Sequence, residues 1–203
     1  MARIGFVGHS GAVTEEAAEF IDRLGPGMLL VATPHLDDPN FARSVVLLMD
    51  HGVDGSIGVI INRPTDVAVE ARLAGWEGFC RPPGVLFRGG PVSSEAVMGL
   101  VEISAAPPHE WVPVFANVGP IDLSIDPTPL QGVVATLRVF SGYAGWGPAQ
   151  LVAEVSEGSW WVIDPHPDDP FAIEPDSLWA RVLGRQRGEL SWFSRYPVDP
   201  DLN

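Results

Sequence analysis

An α+β domain is expected from three features of the chain. Short runs rich in Val, Ile and Leu, bounded by Gly, Pro and Asp, recur from Met28 to Ile163 and read as strands. Amphipathic stretches at Thr14–Leu24 and Pro175–Arg187 read as helices at either end of that series. No proline-rich or Ser-rich linker divides the 203 residues, so residues 14–203 are taken as one domain behind a loose, glycine-rich segment, residues 1–13.

Each element has a local cause. Thr14 caps the first helix, Glu15 and Glu16 suit its positive end, and Ala17, Phe20, Ile21 and Leu24 share one face before Gly25-Pro26-Gly27 stops it. Strands follow at Met28–Thr33, Ser44–Met49 and Ile57–Asn62, expected in one sheet, with a hairpin turn in Asp50–Gly55 joining the last two. Val67–Leu73 reads as a helical turn or two. Val85–Phe87, Ala96–Val101, Val112–Phe115 and Leu137–Phe140 read as strands. Pro148 suits a first helical turn, giving a helix over Pro148–Val155 that Gly158 ends, and Trp160–Ile163 is a strand. The last helix carries a stripe of Leu178, Val182 and Leu183, with Arg181, Arg185 and Arg187 toward its negative end. Trp160, Trp161 and Trp179 are expected in the core.

Charge narrows the function classes. Twelve Arg and no Lys oppose 26 Asp and Glu, a net charge of −14, and between Gly89 and Ala180 the only basic residue is Arg138. Nucleic-acid binding draws most of its affinity from neutralised phosphates, so direct DNA contact and anionic membrane surfaces are disfavoured. No apolar run approaches the roughly 20 residues of a membrane helix, and the opening residues lack a signal-peptide apolar region. A cytoplasmic protein is expected. The single cysteine, Cys80, forms no intramolecular disulfide, and Arg81 beside it raises the question of a depressed thiol pKa.

Four blocks stand in order: Ala32–Leu48 with its Pro34-His-Leu-Asp-Asp-Pro39, Gly58–Pro64 ending in Asn62-Arg63-Pro64, Phe87–Val92 containing Gly89-Gly90, and Phe140–Leu151 containing Gly142-Tyr-Ala-Gly-Trp-Gly-Pro148. Together they resemble the YqgE/AlgH family of bacterial proteins, over about Leu29 to Leu183. The resemblance implies a bifurcated, partly barrel-like mixed sheet flanked by helices. The family it points to has no established catalytic residues and carries a transcriptional-regulator label; no cofactor is expected. The stretches Ser93–Met98 and Ala105–Trp111 depart from the family pattern.

The candidate binding residues are His35, Asp37, Asp38, Asn62, Arg63, Gly89, Gly90, Tyr143 and Trp146. Arg63 has the fork that clamps a carboxylate or phosphate, or else pairs internally with Asp37 or Asp38. Tyr143 and Trp146 offer aromatic walls with polar tips, and Gly145 is expected to tolerate no bulky side chain. His35-x-Asp37-Asp38 is echoed by His166-x-Asp168-Asp169, yet neither has convincing further ligands, so no metal is expected. The second copy reads as a strand-terminating turn. Gly-x-Ser-x-Gly is absent, and no local motif poises a hydroxyl beside a base. The leading reading is a non-enzymatic regulatory or protein-binding module whose partner is another protein. The alternative is a small-molecule-binding protein or enzyme using His35, Asp37, Asp38, Asn62 and Arg63. A DNA-binding regulator ranks last.

Overall fold

The apolar runs are strands buried on both faces, which is why they carry no polar alternation. The computed structural model describes residues 14–106 and 110–197. The expected 1–13 segment and residues 107–109 of the Pro-rich stretch lie outside the described residues. Chain order is α1 (Glu15–Asp22), β1 (Leu29–Ala32), β2 (Val45–Gly52), β3 (Gly55–Ile60), β4 (Pro64–Ala68), β5 (Val85–Arg88) and β6 (Val92–Ile103). Then come β7 (Val118–Ile121), β8 (Val134–Trp146), α2 (Gln150–Ser156), β9 (Trp160–Ile163) and α3 (Leu178–Gly184).

The sheet runs β4-β5-β8-β3-β2-β1-β9, with β6 branching from β8 and carrying β7. Strand β8 is the fork. Its Val139, Phe140 and Ser141 pair in parallel with β5, and Ala144, Gly145 and Trp146 pair antiparallel with β3. The mixed, bifurcated sheet curls so that Leu29, Val31, Val45, Leu47, Val59, Phe87, Leu100, Val118, Phe140 and Ile163 meet in one core, closed by Leu178, Val182 and Leu183 of α3. Alternate residues Leu30, Ala32, Val46 and Leu48 face a second core under Phe20 of α1 and Leu151 and Val155 of α2. Each large apolar side chain contributes about 1.5–3 kcal/mol through burial. The α+β class, the pairing of the first three strands and the short hairpin at Gly52–Gly55 are as expected.

Five expectations need correction. Val112–Phe115 is no strand. Val114 and Phe115 turn onto Val118 by hydrogen bonds, Pro113 lacks an N–H to donate, and the strand is β7. Leu137–Phe140 is the middle of a longer strand that continues through the glycine-rich segment. The residues before Val69 pair as β4, leaving only the short 3-10 turn Val69–Ala71. Helix α2 starts at Gln150 and not at Pro148, because Ala149 is left-handed (φ 59°) and the Gln150 side chain accepts from the Gly147 N–H at 2.9 Å. The last helix is broken: Pro175–Ser177 is 3-10, α3 ends at Gly184, and a second 3-10 segment spans Gly188–Arg195.

Glycines set the fork. A side chain at Gly90 (φ 157°) would strike the Tyr143 backbone, and one at Gly89 the Gly142 carbonyl. Gly142 (φ 68°) faces the Gly90 carbonyl from the other side. Gly145, expected to tolerate no bulky side chain, is different and corrects that expectation. It lies exposed in β8, and a Cβ there would meet nothing closer than the Tyr143 ring at 3.4 Å. The lone cation of the acidic stretch, Arg138, is 1% exposed and, among the described residues, has no acidic partner. It donates to the carbonyls of Pro170, Arg81, Pro83 and Ala172 at 2.9–3.3 Å and stacks 4.3 Å from the Phe87 ring. Burial lowers its pKa to about 10, so it stays charged at neutral pH and staples two loops to β8.

Candidate functional site

The loop from β1 to β2 builds most of the site. Pro34 follows the end of β1, and the Asp38 carboxylate accepts from the Asn40 backbone N–H at 2.8 Å and its side-chain Nδ2 at 3.0 Å. The Asp38 carbonyl accepts from the N–H groups of Phe41 and Ala42, which tightens the turn. Arg43 then adopts a left-handed backbone (φ 57°), at a cost of roughly 1–2 kcal/mol for a residue with a Cβ. Beyond β3, Asn62 Oδ1 accepts from Val45 N–H at 2.9 Å and Nδ2 donates to the Arg43 carbonyl at 3.0 Å. Asn62 is thus spent on holding the loop to the sheet. Arg63 donates to the Ala42 carbonyl.

With α3 this loop encloses an open cleft of about 540 Å³. Arg43 and Arg63, both half-buried, line it, Asp37 and Asp176 stand exposed at its rim, and Leu36, Pro34 and Pro39 give it an apolar side. The Arg43 guanidinium lies 4.0 Å from the Trp179 ring centre and donates to the Tyr196 carbonyl at 3.0 Å. The indole in turn donates to the Ala32 carbonyl at 2.8 Å. Among the described residues neither guanidinium has a carboxylate within 4.0 Å. Burial lowers the pKa of both below the ordinary arginine value; at Arg63, Arg88 pushes the same way and Asp176 opposes. The arrangement presents fixed, partly desolvated positive charge to whatever enters, which is the chemistry of anion recognition.

The remaining candidates are scattered. His35 opens onto a second cleft, also about 540 Å³, which shares the Thr33–Pro34 wall and is lined by Phe20, Trp161 and Phe193. Asp38 is a turn-former beside the first cleft. Gly89 and Gly90 lie buried under β8, and Tyr143 packs half-buried against the inner core. Trp146 is buried in the other core, with Nε1 donating to Glu154 at 2.9 Å. Asp37, Asn62 and Arg63 are therefore the sequence candidates that one cleft brings together. Sequence reasoning misses Arg43, Asp176, Trp179 and Tyr196 as site residues. Arg43 sits inside the first of the four blocks, but the three others lie over 130 positions away, beyond any local signal.

Several other groups have structural roles. Asp169 of the echoed element is 3% exposed and takes both Nη1 and Nη2 of Arg185 at 2.6 Å. Its Oδ2 also accepts from His166 N–H, so this copy is a locked turn. Cys80 departs from expectation: burial is the leading cause pushing its thiol up to about 11, outweighing Arg138. Ser56 Oγ and His51 Nδ1 lie 2.7 Å apart in the β2–β3 hairpin, outside both clefts. Among the described residues no group of three or more His, Cys, Asp or Glu is placed to hold a metal, and no helix is long and apolar enough to cross a membrane.

The molecule is thus an α+β domain with a cation-lined cleft beside its sheet. A family model described as AlgH-like matches residues 29–191. The UPF0301 protein of Streptomyces avermitilis is 47% identical over 182 residues, covering 87% of this chain and 94% of that protein. Its counterpart in Thermobifida fusca is 43% identical, covering 90% and 98%. Among solved structures, protein DIP2367 from Corynebacterium diphtheriae superposes with a TM-score of 0.81 at 30% identity, over 85% of this chain and 93% of that one. The AlgH protein from Pseudomonas aeruginosa, a solution structure, gives 0.63 at 25% identity, over 86% and 95%. The chain belongs to the AlgH-like family.

Proposed function

We propose that this chain is a non-catalytic binding protein that holds a partner protein by an acidic group seated in the Arg43–Arg63 cleft. The supporting observation is the pair of half-buried guanidiniums with no carboxylate within 4.0 Å among the described residues, in a chain whose net charge is −14. Partly desolvated cations of this kind are costly in isolation and become favourable when an anion arrives. Within the cleft, the Thr33 hydroxyl is committed to the Gly158 carbonyl at 2.8 Å, and among the described residues that line it no hydroxyl is hydrogen-bonded to a histidine or carboxylate. The overall acidity argues against DNA as the partner. A cytoplasmic setting belongs to the same proposal.

A second reading, a small anionic ligand in place of a protein, is favoured by the cleft volume, which lies within the range of small-molecule sites. One experiment separates them. Immobilised wild-type chain and Arg63→Gln are exposed to native lysate, and retained proteins and small molecules are both quantified. The proposal expects a protein held by wild type, released by salt and lost with Arg63→Gln. Retention of an identical protein set by both forms contradicts it, and an Arg63-dependent small molecule alone establishes the second reading.

A further inference from the structure

We infer that the second cleft, onto which His35 opens, is a site for a small organic cation, an ammonium or guanidinium head on an aryl or alkyl body. This site shares only the Thr33–Pro34 wall with the Arg43–Arg63 cleft. Five segments converge on a space of about 540 Å³: α1, the end of β1, the end of α2, β9 and the 3-10 segment Gly188–Arg195. That volume suits a small molecule. The walls are pinned by hydrogen bonds: Thr33 Oγ1 donates to the Gly158 carbonyl at 2.8 Å, and the Thr33 N–H to the Ser159 carbonyl at 3.0 Å. The Trp161 and Phe193 rings, with centres 5.0 Å apart, brace β9 against the 3-10 segment.

Two features choose the occupant. The lining is apolar, with Phe20 and Trp160 buried and Trp161, Phe193 and Leu190 half-buried, so an aryl or alkyl body entering it displaces water from apolar surface. The rim is acidic. Glu16 and Glu19 of α1, Glu157 after α2 and Glu189 of the 3-10 segment all stand exposed on it. Among the described residues none of the four has an arginine or histidine within 4.0 Å. The two guanidiniums that also line the cleft, Arg23 and Arg187, do not balance them, and Arg23 is already held by Asp164 at 3.0 Å. The balance is negative. A positive head is drawn to it, a negative one is repelled, and a neutral one gains nothing from it.

The test uses three ligands with one body, 4-phenylbutylamine, 4-phenylbutanol and 4-phenylbutyrate, added to the full chain at about pH 8, where an ordinary imidazole is uncharged. The NMR signal of the Trp161 indole N–H reports entry into this cleft. At low salt the amine should shift it saturably and bind roughly tenfold more tightly than the alcohol, with the carboxylate weakest. Butylamine, which lacks the ring, should give no saturable shift. The Glu157→Gln, Glu189→Gln double variant should bring the amine to within roughly threefold of the alcohol. The alcohol's own affinity, which reports an intact cleft, should stay unchanged. Arg63→Gln should bind the amine as wild type does. Alcohol, carboxylate or butylamine binding as tightly as the phenylbutylamine, or no saturable shift at Trp161, overturns the inference. So does an amine affinity unaltered by the double variant, or lost with Arg63→Gln. None of these results bears on the Arg63-dependent capture of a partner, so the two readings fail separately.

Discussion

Arg43 lies against Trp179, its guanidinium carbon 4.0 Å from the ring centre, and this stack joins the β1–β2 loop to α3 across the cleft. The indole is held from behind by its 2.8 Å hydrogen bond to the Ala32 carbonyl. The side chain that faces the cleft is thus positioned by one that is buried in the core. Trp179→Phe should keep a ring under Arg43 while leaving the buried Ala32 carbonyl without that donor. A loss of about 1–3 kcal/mol in urea unfolding is expected. Unchanged stability would mean that the indole N–H does not set the stack.

The Asp169–Arg185 pair makes a second stability prediction. Asp169→Asn keeps the shape but removes the charge that both guanidinium nitrogens meet at 2.6 Å. Because Arg185 is a third exposed, the expected loss is about 2–3 kcal/mol, below the range for a fully buried pair. The same variant should still retain the partner in the Arg63-dependent capture.

Glycine substitutions separate architecture from surface. Gly90→Ala drives a methyl group into the Tyr143 backbone at a positive φ, and a loss above about 3 kcal/mol is expected. Gly145→Val places a β-branched side chain at an exposed strand position, and a change within about 1 kcal/mol is expected. Thermal unfolding of the two variants side by side checks the order, and the reverse order would mean that the fork at β8 is misassigned.

Signals in the sequence reach only as far as their physical range. The runs Leu29–Ala32 and Val45–Leu48 declare strands buried on both faces, because a two-residue period feeding two cores leaves no polar gap. The sequence ends this strand at Phe140, since nothing local shows that it runs on through the Gly142–Gly147 cluster, crossed closely by Gly89 and Gly90. Asn62 and Arg63 stand out as a strand end carrying a fork and an amide. Their companions Asp176, Trp179 and Tyr196 reach the cleft only through tertiary folding, so no spacing rule places them.

Cys80 gives a chemical prediction. Its thiol donates toward the Trp76 carbonyl at 3.6 Å, and burial pushes its pKa from the ordinary 9.0 up to about 11. The sign follows: stability contributed by the protonated thiol is fully present below about pH 9 and is lost as pH rises through about 11. At pH 8 the folded protein should show roughly one-hundredth of the thiolate of an unperturbed cysteine. Iodoacetamide labelling followed by mass spectrometry measures this against the urea-unfolded chain. Equal rates in both states would contradict the burial argument.

Whether the partner sits on the two arginines decides the matter. Hydrogen exchange of the full chain, alone and with the partner retained in the Arg63-dependent capture, reports where amides become protected. Protection is predicted in residues 33–43, 61–63 and 176–180, the segments that line the Arg43–Arg63 cleft. Protection confined to other surfaces, such as the exposed first half of β6, with those cleft segments unchanged, would show that the cleft is not the binding surface.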